Sequence, residues 1–166
     1  MVAMVVKKPS ACSAEELEAF KQLILTGGEV DAAGLDGRIK AAICLVFHYV
    51  ENKELGGIAA LKAPNDSYKN RVFGRAESPE KPSDFIFELG WVFVVEKYRG
   101  RGLSRSLAEE ALIPAEGKSV FASTRVDNCP MCRTNTRLGF KRSGNPYRTT
   151  RKGRSYFLSL FVRLAP

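Results

Sequence analysis

Apolar residues recur at helical spacing at Leu17, Phe20, Leu23 and Ile24, one stripe of an amphipathic helix. Ser13-Ala-Glu-Glu16 precedes them and fits a capping box, the Ser closing the first turn while the Glu reaches back. Gly27-Gly28 stops that helix. A second, shorter helix is predicted over 32–40, weakened by its glycines. Residues 42–50, AICLVFHYV, are β-branched, aromatic and almost continuously apolar, the pattern of a strand covered on both faces. Glu51-Asn-Lys-Glu54 turns the chain into a hairpin partner over 55–61, and 2–6 reads as a short first strand. The strongest strand signal is FIFELGWVFVV at 85–95. A helix over 103–112 follows, with Leu103, Leu107 and Ala111 on one stripe and Pro114 at its end. A strand over 120–126, a short helix over 130–138 and a closing strand over 157–162 complete the series. Residues 63–84 carry Pro64, Gly74, Pro79 and Pro82 among polar residues. They read as a long loop, a kind that is often functional or mobile.

This order predicts a mixed α/β sheet with a right-handed crossover between 85–95 and 120–126. A length of 166 residues favours one domain over 1–166. No apolar run reaches the roughly eighteen residues needed to span a bilayer. No signal-peptide core follows MVAMVVKKPS, so a cytoplasmic protein is expected.

Charge changes the picture. The net charge of +8 is carried by one end: residues 1–127 hold seventeen basic and eighteen acidic residues, whereas 128–166 hold nine basic and none acidic. Such a one-signed region attracts anions, whether a nucleotide phosphate, an acidic substrate, nucleic acid or a membrane surface. A solvated basic face without a specific partner is the plainer alternative. Cys129-Pro-Met-Cys132 has CxxC spacing, yet there is no second CxxC and His48 is the only histidine. The expected reading is therefore two thiols and no metal.

The stretch VVEKYRGRGLSRSL at 94–107 joins the end of a strand to the start of a helix. A helix N-terminus offers free N–H groups and a partial positive charge to an anion. Gly100 and Gly102 leave room for a pyrophosphate, Arg99 and Arg101 add charge, and Ser104 supplies a hydroxyl. The P-loop and GxGxxG spacings are absent. The stretch resembles the acetyl-coenzyme A loop of the GNAT acetyltransferases, Gln/Arg-x-x-Gly-x-Gly/Ala. It fits as Lys97-Tyr-Arg-Gly100-Arg-Gly102, or two residues later as Arg99-Gly-Arg-Gly102-Leu-Ser104. ELGWVFV precedes it, and Asn128 is followed eleven residues later by Gly139-Phe140, similar to the family's second motif.

The resemblance implies a GNAT-like α/β fold with a mostly antiparallel sheet of about six to seven strands and about four helices. It implies direct acetyl transfer from acetyl-CoA to a small-molecule or peptide amine. Cofactor contacts are expected from Val92, Phe93 and Val94 on the strand, from Arg99, Gly100, Arg101, Gly102, Leu103 and Ser104 in the loop, and from Asn128, which equally suits a helix N-cap. Glu88 stands where some members carry a general base. A carboxylate in an apolar run is costly to bury in its charged form, which favours proton uptake; pairing with an arginine is the other use of such a residue. Many members place a tyrosine where this chain has Asn135, so Tyr98, Cys132 or water is left to protonate the thiolate. Among Arg133, Arg137, Lys141 and Arg142, contacts to the adenosine phosphates are not assigned. Two other readings stay open. One is a nucleic-acid-binding module using the basic C-terminal third, where 145–157 mixes cations with aromatics. The other is a catalytically silent CoA-binding protein. A homodimer is also left open.

Overall fold

The computed structural model describes residues 3–166. Val2, placed by the sequence in the first strand, lies outside the described residues. Seven strands form one sheet in the order β1-β2-β3-β4-β5-β7-β6. The chain divides into two compact units, Met1–Lys62 with Leu89–Pro114, and Ala63–Glu88 with Ala115–Pro166. No helix among the described residues is long and apolar enough to cross a membrane.

The first unit contains β1 (Ala3–Lys7), β2 (Cys44–Tyr49), β3 (Leu55–Lys62) and most of β4 (Phe87–Val94). The predicted hairpin is present: β2 and β3 pair antiparallel from Cys44↔Leu61 to Tyr49↔Leu55, and β1 pairs antiparallel on the other side of β2. β2 is buried along nearly its whole length, as its unbroken apolar run requires. Helix α1 (Ala14–Thr26) begins with the capping box, Glu16 N–H donating to Ser13 Oγ and Ser13 N–H to Glu16 Oε2. The second helix, α2, is shorter than predicted (Leu35–Lys40), starting after Gly34. Phe20, Ile24, Leu35 and Ile39 from these helices close a core with Leu45, Phe47 and Ile58 of the sheet. Each such side chain contributes about 1.5–3 kcal/mol on burial. Helix α4 (Leu103–Leu112) buries Leu107, Ala108, Ala111 and Leu112.

The second unit corrects two expectations. Residues 63–84 are not one long loop, because Asp66–Arg75 forms helix α3. Asn65 caps it by accepting the Tyr68 N–H at 2.8 Å, and Val72 and Phe73 are its buried apolar face. The basic tail also holds a strand the sequence reading lacks, β6 (Lys141–Arg148), in which only Ser143 and Tyr147 are buried. The first residues of β4 pair in parallel with β5 (Val120–Arg125), Phe87↔Val120 and Glu88↔Phe121. β7 (Phe157–Arg163) then pairs antiparallel with both β5 and β6. Phe73, Phe85 and Phe121 meet edge-on or tilted with centroids 5.1–6.4 Å apart and, with Leu160 and Val162, make this unit's core. Helix α5 (Cys129–Arg137) lies between β5 and β6 in sequence.

The outer side of β6 is strapped to the chain that leaves α3. Asn145 N–H donates to Ala76 O at 2.6 Å and Arg75 Nη2 to Arg148 O at 2.7 Å. Gly144 has φ +67°, and a Cβ there would sit 2.0 Å from Ala76 O. Ser78 and Ser143 share a 2.7 Å hydroxyl contact, and both donate to Glu80.

Candidate active site

In the first unit β4 runs out at Val94, and a single 3-10 turn over Glu96–Tyr98 leads to the glycines. The turn is anchored at both ends. Val95 N–H donates to Gly56 O at 2.9 Å and Tyr98 N–H to Val95 O at 2.8 Å. Glu54 then accepts both Lys97 Nζ and the Tyr98 hydroxyl, the latter at 2.9 Å. Gly100 and Gly102 have φ of +76° and +74°, and a side chain at either would project into open space. The glycines are thus required first by the left-handed backbone, and second by the space kept clear above them.

Gly102 caps α4 without any side-chain cap, and the helical bonds start at Arg105 N–H to Gly102 O, 3.1 Å. Among the described residues, the backbone N–H groups of Arg101, Gly102, Leu103 and Ser104 bond to no protein acceptor. These are the orphan donors of a helix start, set at the positive end of a ten-residue helix. The arginines are differently employed. Arg99 spends its Nε on Val94 O at 2.9 Å and lies 5.6 Å over the Phe93 ring, so it braces the strand end to the loop. Arg101 is exposed and reaches over the Tyr98 ring. Val92, Phe93 and Val94 directly precede this turn in β4.

One feature of β4 has no trace in the sequence. Trp91 has φ +51°, an outlier for a bulky residue. Its indole is held by the edge of Phe20 (6.2 Å) and by the Lys62 ammonium, 4.8 Å over the ring. Strained residues of this kind concentrate at functional sites, and this one directly precedes Val92.

Glu88 and Asn128 belong to the second unit. Glu88 is 3% exposed, and its Oε1 accepts the Tyr68 hydroxyl at 3.0 Å. Burial first, then the Glu88 charge, holds the Tyr68 phenol well above its usual range, so Tyr68 is a neutral donor at ordinary pH. Tyr147 is also raised, chiefly by burial, and its hydroxyl contacts Ser123 Oγ at 3.0 Å. Neither tyrosine was singled out by sequence reasoning. Tyr68 was hidden in the supposed loop and Tyr147 in the basic tail. The capping signal of Asn65, three residues before Tyr68, was the available clue.

Asn128 caps α5, its Oδ1 accepting Met131 N–H at 3.2 Å. Asn135 is fully buried and donates from Nδ2 to Thr124 Oγ1 at 2.9 Å, a bond that ties α5 to β5. Cys132 is buried against Arg125 O, while Cys129 is exposed. Among the described residues no three His, Cys, Asp or Glu side chains gather as a metal site would need.

Comparison with known proteins adds to this geometry. Residues 83–149 match the family described as FR47-like protein. No curated protein matches the chain. Among solved structures, Escherichia coli ElaA is 17% identical, with 98% of this chain and 99% of that chain covered at a TM-score of 0.70. An acyl-CoA N-acyltransferase from Pseudomonas aeruginosa is 19% identical over 98% and 99%, again at 0.70. Arabidopsis thaliana NAA60, solved with acetyl-CoA, is 16% identical over 98% and 99%, at 0.69. Those identities speak to the fold, and the FR47-like match spans the strand, the glycine turn and the Asn128 segment. Together with the strand order, they show that this chain has the GNAT fold.

Proposed function

We propose that the protein is an acyltransferase domain that moves an acetyl group from acetyl-CoA to an amine, acting in the cytoplasm. The observation that carries this reading is the row of unbonded N–H groups from Arg101 to Ser104 at the head of α4. They would hold the cofactor's pyrophosphate, with the Arg101 guanidinium adding charge. Backbone groups of Val92–Val94 would hold the pantetheine arm and polarise the thioester carbonyl, whose oxygen gains charge as the amine attacks.

Glu88 is the proposed general base. The amine must give up a proton before its lone pair can attack the carbonyl carbon, and the carboxylate takes that proton. The N–C bond forms, the C–S bond breaks, and the electron pair leaves on sulfur. Tyr98 is engaged with Glu54 and Asn135 is buried and not an acid. A thiol ionises near pH 8.5, so the leaving thiolate needs no side-chain acid close to neutral pH. This reading assigns none. Asn128 serves it as the cap of α5.

The test is calorimetric titration with coenzyme A, paired with thiol release from acetyl-CoA over a panel of amines. Saturable binding with release that depends on the amine is expected. Absence of coenzyme A binding would overturn the reading, and binding without release would leave only the ligand-binding half of it standing.

A further inference from the structure

Glu88 is held by more than its strand. Its Oε1 accepts the Tyr68 hydroxyl at 3.0 Å, and Tyr68 comes from α3, an element separate from β4. The ring of Tyr68 is itself fixed, lying 6.5 Å from Phe121 with the Arg71 guanidinium 5.5 Å over it. Phe121 is the residue that pairs with Glu88 in the β4–β5 ladder. Tyr68 therefore rests on the neighbour of the carboxylate it contacts. Asn65 fixes the first turn of α3 through the Tyr68 N–H, so the same residue is set by a cap at its backbone and by a tilted ring contact and a guanidinium at its ring.

From this we propose that Tyr68 is a positioning residue for the proposed base: its phenol donates to Glu88 Oε1 and so fixes which face of the carboxylate meets the amine. The inference rests on Glu88 being the base. A buried carboxylate at 3% exposure has few ways to be solvated, and a charge-assisted O–H···O bond supplies what water does not. The donor is dependable because Tyr68 stays protonated, held there by burial and by the carboxylate itself. Besides Glu88, the groups acting on Tyr68 are Tyr147 from β6 and Arg71 from α3, while Arg75 acts on Tyr147. The arginines favour the phenolate forms of the two tyrosines, whereas the Tyr147 hydroxyl contacts Ser123. Tyr147 thus lies beside the pair without replacing the Tyr68 bond.

Positioning predicts a signature that simple support of the fold does not. In Tyr68→Phe the ring and its packing remain, while the donor is lost. The pH profile of kcat/KM should then change, because the donor that bonds the carboxylate is gone. kcat should fall about tenfold or more, with the KM for acetyl-CoA unchanged. Tyr147→Phe, whose hydroxyl contacts Ser123 rather than Glu88, serves as the control and should leave the pH profile in place. A further readout does not need turnover: with tyrosine labelled at the ring Cζ, the Tyr68 resonance should titrate at lower pH in Glu88→Gln than in the parent.

The expected result is the paired change, an altered pH profile of kcat/KM in Tyr68→Phe and an earlier Tyr68 titration in Glu88→Gln. If Tyr68→Phe keeps its kcat and pH profile while Glu88→Gln loses activity, the positioning role is overturned and the base assignment stands. Retention of full activity in Glu88→Gln would overturn both. Loss of activity in Tyr68→Phe together with a lowered melting temperature and an unmoved pH profile would reduce Tyr68 to a fold support and also overturn the proposal.

Discussion

The two units solve different problems with different materials. The first unit presents backbone: four N–H groups at a helix start, two glycines in left-handed conformation and a strand end braced by Arg99. The second presents side chains, a buried carboxylate and the phenol that donates to it, among aromatic rings. A backbone site tolerates many side chains but demands glycine at fixed places, so it leaves a spacing in the sequence. A side-chain pair built from two separate elements leaves no spacing at all.

The comparison is broken most severely at Glu88. Glu88→Gln keeps the shape and the Tyr68 bond yet cannot take a proton, and transfer is expected to slow by a factor on the order of 10²–10⁴. The coenzyme A dissociation constant should not change, since the first unit is untouched. Single-turnover kinetics beside calorimetry checks both halves, and an unaltered rate would remove Glu88 from the mechanism.

Gly102→Asp strikes the other unit. It forces a left-handed aspartate, at a cost of about 1–2 kcal/mol, and sets a negative charge where the pyrophosphate is proposed to lie. Coenzyme A binding is expected to weaken by about a hundredfold, with little change in the melting temperature of the free protein beyond the backbone cost. An unchanged dissociation constant would refute the loop assignment.

Gly144→Ala sharpens the comparison without touching either proposed role. Its Cβ would meet Ala76 O at 2.0 Å on a backbone with φ +67°. A loss of roughly 2–4 kcal/mol is expected from overpacking and the left-handed penalty together. The melting temperature should fall by about 4–16 °C, measured by calorimetry. A wild-type melting curve would show that the strap between β6 and Ala76 contributes little.

The smallest effect concerns pH. His48, the only histidine, is buried in β2, and burial lowers its pKa below the ordinary value. A group depressed in the folded state lends stability above its unfolded pKa, near 6.5, and loses it as pH falls toward the folded value. The melting temperature should therefore decline modestly as pH drops below about 6.5. That decline should be reduced in His48→Leu, and an identical pH slope in the two proteins would contradict it.

What could be read in the sequence follows the same division. α1 announced itself by Ser13 and Glu16, and α4 by Leu107 and Ala111 behind two glycines; both lie where the sequence reading put them. The β2–β3 hairpin was legible because both strands are apolar enough to allow no other use. In contrast, α3 is built from DSYKNRVFGR, whose polar residues and glycine favour turns, and only Val72 and Phe73 mark its inner face. Tertiary packing against Phe85 and Phe121 makes it a helix. β6 ends the sheet, so it turns just two of its side chains inward and its alternation is too thin to read. The basic tail looked suited to stacking on bases, but Tyr147 is buried and Tyr156 carries the Arg125 guanidinium at 4.4 Å. The positive φ of Trp91 is set by contacts with Phe20 and Lys62 that no local pattern encodes.

A crystal structure of the protein soaked with acetyl-CoA tests the central claim most directly. The account predicts pyrophosphate oxygens about 3 Å from the backbone nitrogens of Arg101 to Ser104, with Gly100 and Gly102 still left-handed. A cofactor bound elsewhere, or those nitrogens turned onto protein acceptors while the cofactor is present, would contradict it.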